Sequence, residues 1–157
     1  MPPFLAGLSK ALECAVGRDA IQPLPETDLL WKIYGDGYGQ ARVGAAWSYR
    51  QIFSEAEATN VSPMLERLSI SLVEETAFLL TKQSEICGAV EVDVSNLLRH
   101  WKSVISLDGD SVRIISKDRT QGLLIDFNPD DRNWHYEIAV WGTRWTPQAI
   151  TALSALP

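Results

Sequence analysis

Cysteine, histidine, basic charge and long apolar runs are scarce in this 157-residue chain, and each shortage removes a class of function. Its two cysteines, Cys14 and Cys87, lie far apart. They read as two buried thiols in a reducing compartment, with a disulfide between them left open. No Cys pair or Cys-His pair has the spacing of zinc ligands. There are also only two histidines, His100 and His135. A cysteine–histidine dyad is conceivable, but neither histidine has a neighbour motif that marks it. His100 reads as a surface residue of a helix, and His135 as a cross-strand partner for a carboxylate. No Gly-x-Ser-x-Gly elbow is present for a nucleophilic serine. No Glu-x-x-His or His-x-x-x-His motif is present for a metal.

No stretch of about 18 apolar residues occurs, which argues against a membrane-spanning helix. The first ten residues lack a basic segment, and Lys10 interrupts their apolar run, unlike a secretory signal. These features together predict a cytoplasmic protein. Fourteen Lys and Arg face twenty Asp and Glu, for a net charge of −6. An acidic surface repels phosphate backbones, so nucleic-acid binding is disfavoured.

Enough is present for one domain spanning residues 1–157. A chain of this length buries about 70% of its unfolded surface. The plainest signal is Trp134-His135-Tyr136-Glu137-Ile138-Ala139-Val140-Trp141-Gly142. Trp134, Tyr136, Ile138 and Val140 alternate with His135, Glu137 and Trp141, the pattern of a half-buried strand. Two strands precede it, about Ser111–Ser116 and Leu123–Phe127, and the strand itself spans about Asn133–Trp141. Short connections predict an antiparallel meander. Val112, Ile114, Leu123, Ile125 and Phe127 share the apolar face. Arg113, Asp126, His135, Glu137 and Trp141 take the other, where ion pairing is expected between Lys117 or Arg113 and the carboxylates Asp126 and Glu137. The fold class expected is therefore α+β, an antiparallel sheet of three or more strands packed on several helices.

Helical spacing predicts helices over about 4–16, 40–58, 64–83, 94–107 and 147–156. Ser62-Pro63 is read as the start of the third, Asp93 or Ser95 as the cap of the fourth, and Thr146 as the cap of the last. Leu68–Leu72 also alternates, so a strand there is a real alternative, and 87–92 is ambiguous. Leu29–Tyr34 reads as a short strand, and Gly35-Asp36-Gly37-Tyr38-Gly39 as a flexible turn. No Gly-Lys-Ser/Thr follows these glycines, so they form no P-loop. Asp126, Asp130 and Asp131 lack the calcium-loop pattern and read as a solvated hairpin turn. No metal or cofactor is expected.

Charge is uneven along the chain. From Glu55 to Glu91, seven acids face two bases, Arg67 and Lys82. A solvated acidic face is one reading. A docking surface for a basic protein is the other, since opposite charge speeds encounter.

The segments Gln121-Gly122-Leu123-Leu124-Ile125-Asp126-Phe127 and Tyr136-Glu137-Ile138-Ala139-Val140-Trp141-Gly142 resemble the C-terminal strands of some bacterial immunity proteins. These neutralise toxins of contact-dependent or secretion-system competition. The resemblance implies a toxin domain as partner, often a basic nuclease, met by an acidic surface. It carries no docking residue over by motif. Charge nominates Glu55, Glu57, Glu66, Glu74 and Glu75, with Asp130 and Asp131 secondary. Exposed Trp141 or Trp145 are the expected anchors. The rival is a small-molecule-binding or catalytic α+β domain with a pocket between sheet and helices, lined by His135, Glu137 or Cys87.

Overall fold

The computed structural model describes residues 3–131 and 134–154. The expected strand start at Asn133 and helix end at Leu156 lie outside them. Six strands form one antiparallel sheet: β1 (Ser48–Phe53), β2 (Thr76–Leu80), β3 (Val90–Asp93), β4 (Ser111–Ser116), β5 (Gly122–Phe127) and β6 (Tyr136–Trp141). Their order across the sheet is β1-β6-β5-β4-β2-β3. The C-terminal meander β4-β5-β6 is its centre, as the sequence predicts, and β1, β2 and β3 extend it on both sides.

The helices are α1 (Pro3–Leu12), α2 (Leu24–Arg42), α3 (Val61–Ser71), α4 (Ser84–Cys87), α5 (Val94–Arg99), α6 (Trp101–Ile105) and α7 (Trp145–Ser154). Short 3₁₀ turns lie at Arg18–Ala20 and Glu55–Asn60. The class is α+β with an antiparallel sheet.

One sheet face is continuously apolar. Ile114 pairs with Leu123 and Val112 with Ile125. Leu123 in turn pairs with Val140, and Ile125 with Ile138. All six are 0% exposed and pack in one cluster with side chains of α1, α3, α5, α6 and α7. Asp93 caps α5 through Ser95 N, as expected. His100 interrupts the expected helix over 94–107, separating α5 from α6.

The opposite face corrects the sequence reading. Glu137 and Trp141 were expected toward solvent, yet they are 4% and 7% exposed. The cover is α2, which carries Leu30, Tyr34 and Ala41 into a second cluster with Phe78, Leu80, Ile115, Leu124, Ala139 and Trp141. The expected strand at Leu29–Tyr34 and the glycine turn after it both lie inside α2. The reason is close packing rather than flexibility. A Cβ on Gly37 would stand 2.1 Å from Trp141 Nε1, and one on Gly122 2.2 Å from the same indole. Two glycines thus leave a slot for one tryptophan ring, which tolerates the helix-propensity cost of Gly37.

The expected helix over 40–58 is also corrected. Its alternating residues, with Tyr49, Gln51 and Phe53 on one side, form β1 against β6. The expected helix over 64–83 ends at Ser71, because Thr76–Leu80 pairs with both β3 and β4. Leu68–Leu72 is not a strand: Leu68 to Ser71 closes α3. Residues 87–92 end one short helix and begin β3. Thr146 does not cap α7; its hydroxyl donates to Trp47 O. Gln121 Oε1 accepts from Arg144 N and Trp145 N and serves the start of α7 instead.

Both cysteines are free thiols, and neither is buried as expected: Cys14 is exposed and Cys87 half-buried. Cys14 lies just past the end of α1, with Asn96 Nδ2 3.4 Å from its sulfur. No helix of the described residues is long and apolar enough to cross a membrane.

Candidate partner-binding surface

Helix α3 runs along the apolar sheet face from one end of the sheet to the other. Ser54 precedes it, and both its backbone N–H and its hydroxyl donate to Glu57 Oε1, 3.1 and 2.8 Å away. These bonds hold the Glu57 carboxyl below its ordinary range. Val61, Met64, Leu65, Leu68 and Leu72 turn inward, each 2% exposed or less. Their spacing fixes what turns outward. At about 100° per residue, Ile70 falls opposite the Leu65–Leu68–Leu72 stripe. It is 75% exposed, and Val73 in the following turn is 60% exposed. Glu66 precedes this pair and Glu74 follows it, both exposed. Neither carboxylate enters an ion pair among the described residues. The outer side of α3 therefore sets exposed Ile70 and Val73 between these two carboxylates, with Arg67 and Arg99 lining a groove beside Ile70.

The remaining nominated acids divide. Glu55 and Glu57 are exposed at the end of the sheet where β1 leaves Phe53. The β5–β6 turn emerges at that same end, since Phe53 pairs with Tyr136 and Tyr136 with Phe127. It carries Asp130, whose N–H donates to Asn128 Oδ1, and Asp131. Glu75 stands at the other end and is not free. Arg144 Nε and Nη2 donate to its two oxygens at 3.0 and 3.2 Å. The same guanidinium bonds Asp118 through Nη1. Desolvation pushes Asp118 upward, but hydrogen bonds from Ser116, Arg144 and Thr120 together outweigh it. The carboxyl is held well below its ordinary range. Glu74 and Glu75 were expected on a helix; they lie in the turn and loop between α3 and β2.

Neither tryptophan anchor is at the surface. Trp145 is 0% exposed and Trp141 fills the glycine slot. Trp47 is the exposed one, at 59%, in a left-handed conformation with φ 58°. Its carbonyl accepts from Gly142 N and Thr146 Oγ1, two bonds that hold this uncommon geometry. Sequence pattern contains no signal for it. Ile70 was readable: it is the apolar residue out of phase with its own helix.

The paired carboxylates of the α2 face sit as the sequence predicts, Asp126 opposite Glu137. Both are occupied. Arg50 Nε donates to Glu137 Oε1 at 2.7 Å, and Tyr38 Oη donates to both Glu137 oxygens at 2.8 and 3.1 Å. Burial and the facing carboxylate push the Tyr38 hydroxyl up to about 12, so it stays a donor. Asp126 accepts from Ser111 Oγ. Arg113 pairs with Asp108 at 3.5 Å, and Lys117 with Glu91. His135 packs edge-on against Phe127 and Tyr136. The ring nitrogens of His100 face Asn96 O and Glu13 Oε2. The bonds of Tyr38 and Arg50 to Glu137 tie α2 and β1 to the central strands. Among the described residues, no group of three or more His, Cys, Asp or Glu is placed to hold a metal ion.

Both sheet faces are filled by packed side chains. Grooves open at the surface instead, one of about 390 Å³ beside α1 and α4 that Cys87 lines with Phe4 and Leu107. No family model, no curated protein and no solved structure matches this chain.

Proposed function

We propose that this chain is a cytoplasmic immunity protein that binds a cognate toxin domain through the outer side of α3. One observation carries the reading: Ile70 on α3 and Val73 in the turn after it stand exposed between Glu66 and Glu74, while the inner side of the helix is fully packed. An apolar centre inside a charged rim suits a docking patch. The acidic rim suits a basic, nuclease-like toxin, whose approach it would steer and whose phosphate-binding groups it would occupy. Glu55 and Glu57 extend the rim at one end of α3. Asp130 and Asp131 lie beyond them at the same end of the sheet.

The test takes as partner any toxin domain found encoded beside this gene. Ile70→Asp with Val73→Asp is expected to weaken binding by about a hundredfold, as loss of two central anchors does. Glu66→Lys with Glu74→Lys is expected to slow association by about tenfold and change dissociation little. That slowing should fade as salt rises, because exposed charges are screened within about 8 Å at physiological ionic strength. Association flat in salt, together with unchanged affinity in the Ile70/Val73 variant, would sink the proposal.

A further inference from the structure

Beside the acidic ridge lies a feature of opposite sign. Two adjoining grooves open between α3 and the α5–α6 pair. One, of about 270 Å³, is lined among others by Ser62, Glu66, Arg99, Lys102 and Ser103. The second, of about 460 Å³, shares Pro63, Glu66 and Arg99 with the first and adds Arg67, Ser69 and Ile70. Three cations thus meet one carboxylate, Glu66, on a chain whose net charge is −6. None of the three enters an ion pair among the described residues. Lys102 Nζ stands 5.8 Å from the centre of the Trp101 ring.

Arg67 is the telling residue. Its Nη1 is buried and has no hydrogen-bond partner. A guanidinium carries five donors and no acceptor, and a buried nitrogen left unsatisfied is an exception that calls for a missing acceptor. A surface arginine kept only for solubility would keep that nitrogen in water.

We propose that this double groove is an anion site for a small molecule carrying a diphosphate group. The planar fork of Arg99 suits phosphate oxygens, which it binds two at a time, and Arg67 adds a second guanidinium whose Nη1 a ligand meets only by displacing the atoms that cover it. Lys102 adds a point charge, and the Ser62 and Ser103 hydroxyls are further donors. The two lobes join at Arg99, with Glu66 beside it, and two linked phosphates would place one group in each lobe. Glu66 stands against the anion and sets a preference for ligands that present a hydroxyl or amine beside the phosphates. The site shares Glu66 and Ile70 with the docking patch; Arg99 and Lys102, which that patch does not use, keep the two readings separable in the test.

The experiment is a calorimetric titration of the full chain with sodium pyrophosphate, at low and at physiological salt. Saturable one-to-one binding is expected, weakened about tenfold or more in Arg67→Gln and in Arg99→Gln, since each loses a charge-assisted contact. Lys32→Gln, an exposed cation on α2 across the sheet, is expected to bind as the wild type does. If Arg67→Gln fails to fold, exposed Arg99 decides the matter alone. Absence of saturable binding would overturn the proposal, as would equal weakening in Lys32→Gln, the mark of diffuse charge. An acidic peptide that binds through Arg99 where pyrophosphate does not would overturn it too and make the groove a protein-docking surface.

Discussion

The two faces of the sheet are built on different terms. Toward α1, α3, α5, α6 and α7 stand Val112, Ile114, Leu123, Ile125, Ile138 and Val140, apolar and in register across three strands. Toward α2 stand Arg113, Asp126, Glu137, Ala139 and Trp141, a set that alternation alone assigns to solvent. Both faces are nevertheless covered. Alternation identifies which residues share a face; whether the face is wet depends on what the rest of the chain brings to it. Here α2 brings Tyr38 and β1 brings Arg50, and their bonds satisfy a carboxylate that is 4% exposed.

Substitutions can break this comparison at graded cost. The largest effect belongs to the apolar face. Ile138→Asp places a charge at a fully buried position, and a loss of about 4 kcal/mol or more is expected, enough to unfold a marginal domain. Circular dichroism with thermal melting checks it; a variant melting as the wild type does would remove the register argument.

On the α2 face, Glu137→Gln keeps the shape and removes the charge that Arg50 and Tyr38 bind. A cost of about 2 kcal/mol is expected in urea unfolding. A neutral result would mean that water already serves these groups.

Glycines sharpen the contrast, because sign as well as size is at stake. Alanine is the better helix former by about 1 kcal/mol. At Gly35 and Gly39 an added Cβ meets nothing within 4 Å, so alanine should stabilise by about 0.5–1 kcal/mol. At Gly37 the same change meets the Trp141 ring, and overpacking should reverse the sign to a net loss of about 1–2 kcal/mol. Equal effects at all three positions, read in one denaturation series, would refute the slot.

The smallest effect concerns the Arg144 clamp. Asp118 is held below its ordinary range and its side chain is 48% exposed, so it contributes little. A depressed carboxyl stabilises above its unfolded value, about 3.9, and loses that contribution as pH falls through the folded one. Asp118→Asn should therefore melt slightly below wild type at neutral pH, with the gap closing below about pH 4. A gap that widens in acid would contradict the sign.

What the sequence disclosed follows the same division. The meander and its apolar face were legible because period two, aromatic and β-branched residues and short turns all agree within one local stretch. The α2 face was not, because its explanation is distant. Tyr38 lies 99 residues from Glu137 and Arg50 lies 87. The glycines of α2 read as a turn because the tryptophan they accommodate is on the last strand. At the candidate surface, charge nominated Glu66 and Glu74, and helical phase was able to expose Ile70. Glu75 and Trp141 misled, since their partners, Arg144, Gly37 and Gly122, lie elsewhere in the chain, and Trp145 misled because it packs wholly into the core.

The central claim is that the outer side of α3, rather than either sheet face or the β1 edge beside Trp47, meets the partner. Amide hydrogen exchange of the chain, free and saturated with the toxin domain proposed as its partner, tests it most directly. Protection gained across residues 62–75, with the sheet unchanged, is the result expected. Protection confined to β1 and the Trp47 turn, with 62–75 exchanging as in the free chain, would contradict it.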